Sequence, residues 1–494
     1  MRRSHALVAL LVWFLVGWLA ACTVSRNPVS GRKRLFAYTW KQEIALGQQA
    51  DREIVAQYGI YDDPELAAYV QEVGTRVLEQ SHLRRPEADP EFRNTPFTFR
   101  VLDSPVVNAF ALPGGFVYVT RGLLAHLQNE AQLAVVLGHE IGHVAARHTS
   151  QRMLETNVGQ LGLMAGAVVG EKVLGVPGQD ILQIGGTLVQ LLFLKYSRDH
   201  EREADRLGVE YAALSGYRVD EAASFFRTLR RLTVQQGAEL PFFLSTHPDP
   251  GEREETIRRL ARSWREKVSM ERVAQDALFA RLEGLVYGED PRQGFVQDGY
   301  FYHPTLRFFF PIPAGWEVIN EAHRVLLVAP EQEAIMDLRP VEARSAKEAA
   351  DAFLQNEAFF PVRQQTVRLG SMPSAYRVEV LARDEAQTYR ILAYFIEYNG
   401  TIYRFLGLSD EAQFARWAPL FQNTIEHLAP LTDSRILNIK PLRIYIAPAP
   451  RTARFQELIP ATTPPTLTPE ELAILNQVER TTIIRAGTRL KWVR

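Results

Sequence analysis

Residues 132–143 read QLAVVLGHEIGH, and no other stretch limits the fold more. Leu133, Val135, Val136, Leu137 and Ile141 leave a helix here no polar face, so it must lie inside a domain. The same helix carries His139, Glu140 and His143, and buried ionisable groups are costly without partners. The spacing of four puts both imidazoles on one face, about one turn apart, where they can reach a single metal ion. Glu140 sits beside them, placed to take a proton from a water at that metal. Taken alone, the pattern also fits two capped or core histidines.

A catalytic metal of this kind takes three protein ligands and keeps one position open. Residues 196–205, YSRDHEREAD, supply the missing candidate on another predicted helix. Glu201 is the candidate ligand. Asp205, one turn on, is the candidate acceptor for the far nitrogen of a ligand histidine, His139 first, which would fix its tautomer. Glu203 and Asp199 are expected on other helix faces, and His200 remains open as a ligand.

The chain has 494 residues, which suggests two to four domains. A formal net charge of -1 offers no basic face for nucleic acid and, over the whole chain, no polybasic membrane surface. Cys22 is the single cysteine, so an internal disulfide is impossible. It follows Arg2, Arg3 and an apolar run over residues 6–21, shorter than the ~20 residues of a spanning helix. Leu19, Ala20, Ala21 and Cys22 resemble a bacterial lipoprotein signal. That resemblance implies cleavage before Cys22, lipidation of its thiol and, with Thr23 next, outer-membrane sorting; an uncleaved signal anchor is the alternative. Either places the remainder outside the cytoplasm.

Amphipathic spacing predicts two helices over residues 42–80, with Pro64 just inside the second. Strands are expected over 97–102 and 116–120, with a turn at 104–108, then a helix over about 130–148. Residues 157–194 are apolar and glycine-rich, read as two packed core helices or as a mobile or membrane-facing hairpin. Helices resume over 197–272, and a linker is expected at 287–297. Further on, 308–310, 325–328, 377–381 and 388–398 read as strands, Asn399-Gly400 as a tight hairpin turn, and 411–428 as a helix.

Four segments together resemble the gluzincin metallopeptidases that include the HtpX heat-shock protease, the CAAX prenyl protease and BepA-like periplasmic lipoprotein proteases. They are HEIGH at 139–143, SRDHEREAD at 197–205, NAFALPGGFVYV at 108–119 with Gly122, Leu123 and Leu124, and STHPDPGER at 245–253. Residues 27–32, NPVSGR, also resemble the secreted lipoprotein members. The match covers about residues 25–265 and implies a mainly helical zincin domain, with His139, His143 and Glu201 on one Zn2+ per chain. It further implies that the strand at 116–120 is a sheet edge beside the cleft, where substrate adds as a further strand. Asn108, Phe116, Val117 and Tyr118 are then substrate-binding candidates. His247 either donates to the oxyanion of the tetrahedral intermediate, as a catalytic residue, or fills the open zinc position. Arg253 either contacts substrate or pairs with a carboxylate. Residues 302–307 and 313–316 resemble an α+β module of some secreted relatives, and 472–493 the second half of a LysM-like module.

The expected fold class is α+β: a zincin-type peptidase domain with a small edge sheet, a separate α+β domain and a small LysM-like tail. The boundaries are 1–22 for the signal, 23–285 for the peptidase, 295–430 for the accessory domain and 434–494 for the tail. The expected function is zinc-dependent endopeptidase action on misfolded or unassembled envelope proteins. Alternatives are a zinc-containing chaperone or scaffold with a gated site, and a cell-wall peptide hydrolase. Expected partners are unfolded polypeptides, the membrane through lipid on Cys22, and a protein or peptidoglycan at the C-terminal modules. The expected location is the cell envelope, facing the periplasm or exterior.

Overall fold

The computed structural model describes residues 23–155, 196–235, 247, 250–370, 372, 374–383 and 388–494. It divides into two compact units: Met1–Val55, Ile60–Gly288 and Leu442–Arg494 form the first, Ala56–Gly59 and Glu289–Pro441 the second.

The first unit is built around the apolar helix. A hairpin of β1 (Thr23–Arg26) and β2 (Lys33–Phe36) precedes α1 (Trp40–Tyr58) and α2 (Pro64–Leu78). Asp63 caps α2, accepting from Leu66 N, and Pro64 stands in its first turn, where no backbone N–H is needed. Strands β3 (Thr98–Leu102), β4 (Ala109–Leu112) and β5 (Phe116–Thr120) follow, then α3 (Arg121–His126) and α4 (Glu130–Ala146). Every residue of α4 is buried, its apolar side chains in the core.

Both ends of α4 are pinned. At its start, Glu130 accepts from Arg76 (3.1 Å), Tyr217 (2.7 Å), Arg272 (2.6 Å) and Tyr69 (2.8 Å). At its end, Arg147 takes a left-handed backbone (φ 61°), pairs with buried Glu43 at 2.6 Å and lies 3.7 Å over the Phe36 ring. Asn27 Nδ2 donates to Ala146 O at 2.9 Å, satisfying one of the carbonyls a helix end leaves open. An acid at the N-terminus and a cation at the C-terminus both complement the helix dipole.

The three strands lie in the order β3-β5-β4, β5 parallel to β3 and antiparallel to β4. The strand at 116–120 is therefore the centre of the sheet and not its edge: both its ladders are already filled. Among the described residues, the open edge beside α4 belongs to β4, within residues that sequence periodicity left unassigned. Four residues are too few for alternation to register.

Helices α5 (Arg198–Leu214), α6 (Ala222–Gln235) and α7 (Pro250–Arg265) complete the surround. Helix α5 crosses α4 at a glycine pair, where a Cβ on Gly208 would stand 2.6 Å from His139 N. The expected elements over 157–194 lie outside the described residues.

The second unit carries a seven-stranded antiparallel sheet and a four-stranded one. One hairpin joins β6 (Thr388–Tyr398) to β7 (Thr401–Asp410) through Asn399 and Gly400 at φ 49° and 78°, the two positive values a tight two-residue turn demands. Phe414–Glu426 is the expected closing helix, and Phe295–Gln297 is a strand within the expected linker.

The tail does not stand apart. Leu442–Arg494 belongs to the first unit, and Leu472, Ile474, Leu475 and Trp492 are part of its core. Gln477 Nε2 donates to His126 O at 2.8 Å, and buried Lys491 Nζ to Ala125 O (2.5 Å) and Leu127 O (2.8 Å). These long-range bonds cannot be seen in local patterning, which is why a separate module was expected.

Candidate metal centre

His139 and His143 project from one face of α4 with their Nε2 atoms 3.0 Å apart. Glu201, from the first turn of α5, faces both: Oε1 is 3.4 Å from His143 Nε2 and Oε2 3.5 Å from His139 Nε2. With His247, these residues place four donor atoms within 4.8 Å of one another, all buried. The glycine contact between α4 and α5 permits this approach.

Hydrogen bonds set which nitrogens carry protons. Asp205 Oδ1 lies 3.0 Å from His139 Nδ1 and, as a carboxylate, can only accept. In the neutral ring, His139 Nε2 is then left with a lone pair. His143 Nδ1 lies 2.9 Å from His148 Nδ1, and His148 Nε2 is 3.2 Å from Glu203 Oε2. Glu203 accepts from His148 Nε2–H, so a neutral His148 accepts from His143 Nδ1–H, and His143 Nε2 also presents a lone pair. Tyr196 stacks on the His143 ring at 4.0 Å.

Two lone pairs and a carboxylate thus converge in a buried space. Glu201 Oε2 and Glu140 Oε1 have no hydrogen-bond partner among the described residues. Two imidazoles with one carboxylate are a fitting donor set for a divalent metal. The electrostatics describe the state before a metal binds, in which His139 Nε2 still carries a proton that a bound cation would displace. Burial works against a proton on His139, but Asp205 and Glu201 outweigh it and lift the group to about 9. Burial holds His143 well below its ordinary value. Burial also raises Glu140, making it the better base.

Of the expected site residues, His139, Glu140, His143, Glu201, Asp205 and His247 come together. Arg253 does so differently: it is buried, its Nη2 donates to Asp205 Oδ1 at 2.5 Å, and it lies 4.4 Å over Phe226. It pairs with a carboxylate and is not at a substrate surface. Val117 and Tyr118 are fully buried, Tyr118 donating to Asp51 at 2.6 Å, so neither meets substrate. Phe116 is half-buried on the same central strand. Asn108, just before β4, is buried too, with Oδ1 unpartnered among the described residues, so it offers no exposed atom to substrate here.

Two residues escaped the sequence reading. His148 lies just beyond α4, and Glu203, expected on another face, reaches back to it across 55 residues. The available signal was the five-residue step from His143 to a further histidine. We expect His148→Phe to weaken metal retention about 10–100-fold, measured by competition with a chromogenic chelator. Retention equal to wild type would show that the His143–His148 contact does not orient the ligand.

Residues 64–261 match the model of peptidase family M48. The chain is 31% identical over 261 residues to the beta-barrel assembly-enhancing protease of Yersinia pestis, covering 50% of each chain. It is 28% identical over 236 residues to the protein of that name from Escherichia coli K12, covering 46% of this chain and 45% of the relative. It is also 28% identical over 254 residues to the mitochondrial metalloendopeptidase OMA1 of Bos taurus, covering 47% and 45%. The chain thus spans half or less of the length of these curated relatives.

Proposed function

Since residues 64–261 form a peptidase family M48 domain, we propose that this chain is a zinc-dependent endopeptidase acting on misfolded or unassembled proteins of the cell envelope. One observation carries the reading: two imidazoles and a carboxylate converge in one buried space, and buried Glu140 stands beside them, its Oε1 without a hydrogen-bond partner among the described residues. His139, His143 and Glu201 would hold the metal, and a His2Glu set with nitrogen and oxygen donors suits zinc. When bound, the metal supplies Lewis acidity toward the scissile carbonyl. Glu140 removes a proton from the attacking water and delivers it to the departing amine. Asp205 and the His148–Glu203 pair hold the two imidazoles in the required tautomers, and Arg253 holds Asp205.

An extended polypeptide would pair with β4, the free edge alongside α4, through backbone hydrogen bonds that make little demand on its sequence. Unfolded chains can present such a segment; compact ones cannot. The names of the two bacterial relatives and the apolar segment before Cys22 support an envelope setting and a lipid anchor on Cys22.

A gated state is supported by His247. Its Nδ1 lies 2.9 Å from Glu201 Oε1 and 3.3 Å from His139 Nε2, among the ligand atoms, which favours occupation of the fourth position over an oxyanion role. Withdrawal of His247 would open the site. The cell-wall alternative drew on a separate LysM-like tail, and the tail packs into the peptidase unit. An intact Glu140 weighs against a pure scaffold.

The test is cleavage of casein by the chain from Thr23 onward, with and without 1,10-phenanthroline and with zinc added back. Metal-dependent cleavage supports the reading. Cleavage indifferent to the chelator would sink it. Absence of cleavage by wild type together with cleavage by His247→Ala would mark the gate.

A further inference from the structure

The β1–β2 hairpin has a composition its fold does not need. Residues 23–36 contain Arg26, Arg32, Lys33 and Arg34 and no acidic residue, in a chain whose overall charge is balanced. Its register sets Val24 opposite Leu35 and Arg26 opposite Lys33. Val24 is 62% exposed and Leu35 51%, so an apolar pair faces outward. Arg26, Arg32 and Lys33 are exposed as well. Like charges directly across a strand pair are destabilising, and a two-stranded hairpin is marginal by itself.

The opposite side of the hairpin explains what keeps it folded. Ser25 accepts from Arg147, Asn27 donates to Ala146 O, and Phe36 lies under the Arg147 guanidinium. The inner side therefore caps α4, the helix of the metal centre. The outer side, two aliphatics rimmed by cations, has no such role.

We infer that this outer side rests on an anionic phospholipid surface, with Val24 and Leu35 at the boundary of headgroups and acyl chains and Arg26, Arg32 and Lys33 on lipid phosphates. Charge complementarity favours that partner: each cation near an anionic leaflet adds attraction, and the aliphatic pair adds burial. Position favours it too, because the apolar run over residues 6–21 ends two residues before Thr23. This last point alone rests on the envelope reading above. The hairpin would seat the end of α4 directly on the membrane, with no flexible tether between them.

Sedimentation with vesicles tests this, using the chain from Thr23 onward, which contains every described element and no lipid-bearing cysteine. Vesicles of phosphatidylglycerol with phosphatidylethanolamine are compared with vesicles of phosphatidylcholine alone. Binding is expected on the anionic vesicles, weakening with salt. The double variant R26Q/K33Q is expected to lower it about 25-fold, near fivefold per cation, and V24S/L35S severalfold. Casein cleavage in solution by both variants is expected to match wild type, so failure of the peptidase reading would not be confused with failure of this one. Equal binding to both vesicle types, no binding to either, or anionic binding indifferent to both variants would overturn the inference.

Discussion

Replacing Glu140 by Gln is expected to cut peptide cleavage by ~10²–10⁴ while the metal and the fold stay in place. The two side chains have the same shape, but the amide has no basic oxygen at neutral pH. Glu140 is buried, its Oε1 has no hydrogen-bond partner among the described residues, and burial raises its proton affinity. Burial and a free oxygen both favour a general base. Glu140 is not among the converging donors, so its loss leaves His139, His143 and Glu201 intact. Removing a base of this kind costs ~10²–10⁴ in rate. The check is kcat/KM on a fluorogenic unfolded substrate, beside zinc content per chain and Tm. A fall of less than tenfold would remove Glu140 from the chemistry. A lost metal would instead make it part of the binding site.

Gly208→Ala is expected to damage both stability and metal binding, although Gly208 is neither a candidate ligand nor at a positive φ. An added Cβ would meet His139 N at 2.6 Å, His139 Cα at 2.9 Å and Gly138 C at 3.0 Å. All three are backbone atoms, so no side chain can move aside and α5 must shift from α4. Overpacking of this sort costs ~1–3 kcal/mol, or roughly 2–10 °C in Tm for a domain of this size. The larger effect falls on the site: Glu201 and Asp205 ride on α5 and would leave the histidines of α4. We expect lower Tm with zinc present and a marked drop in bound zinc. A variant within 1 °C of wild type and fully loaded would show that the helices do not need this close approach.

What the sequence determined by itself is what helix periodicity can express. Spacing of four places His139 beside His143, and Glu201 beside Asp205, whatever surrounds them, and an all-apolar helix is buried in any fold. Pro64, Asn399 and Gly400 act through their own backbone preferences, so the elements they start or reverse were legible too. The tertiary structure alone decided which groups meet across long separations. Strand order made β4 the open edge, because pairing depends on which chain lies alongside and not on the strand's own residues. Glu203 looked like an exposed charge until His148 was brought to it. Arg253 had two readings until α7 buried it on Asp205. Gly138 and Gly208 carry no local signal, since a glycine chosen for close helix contact looks like any other. The first set of features depends on neighbours a few residues away, the second on packing partners that only the folded chain supplies.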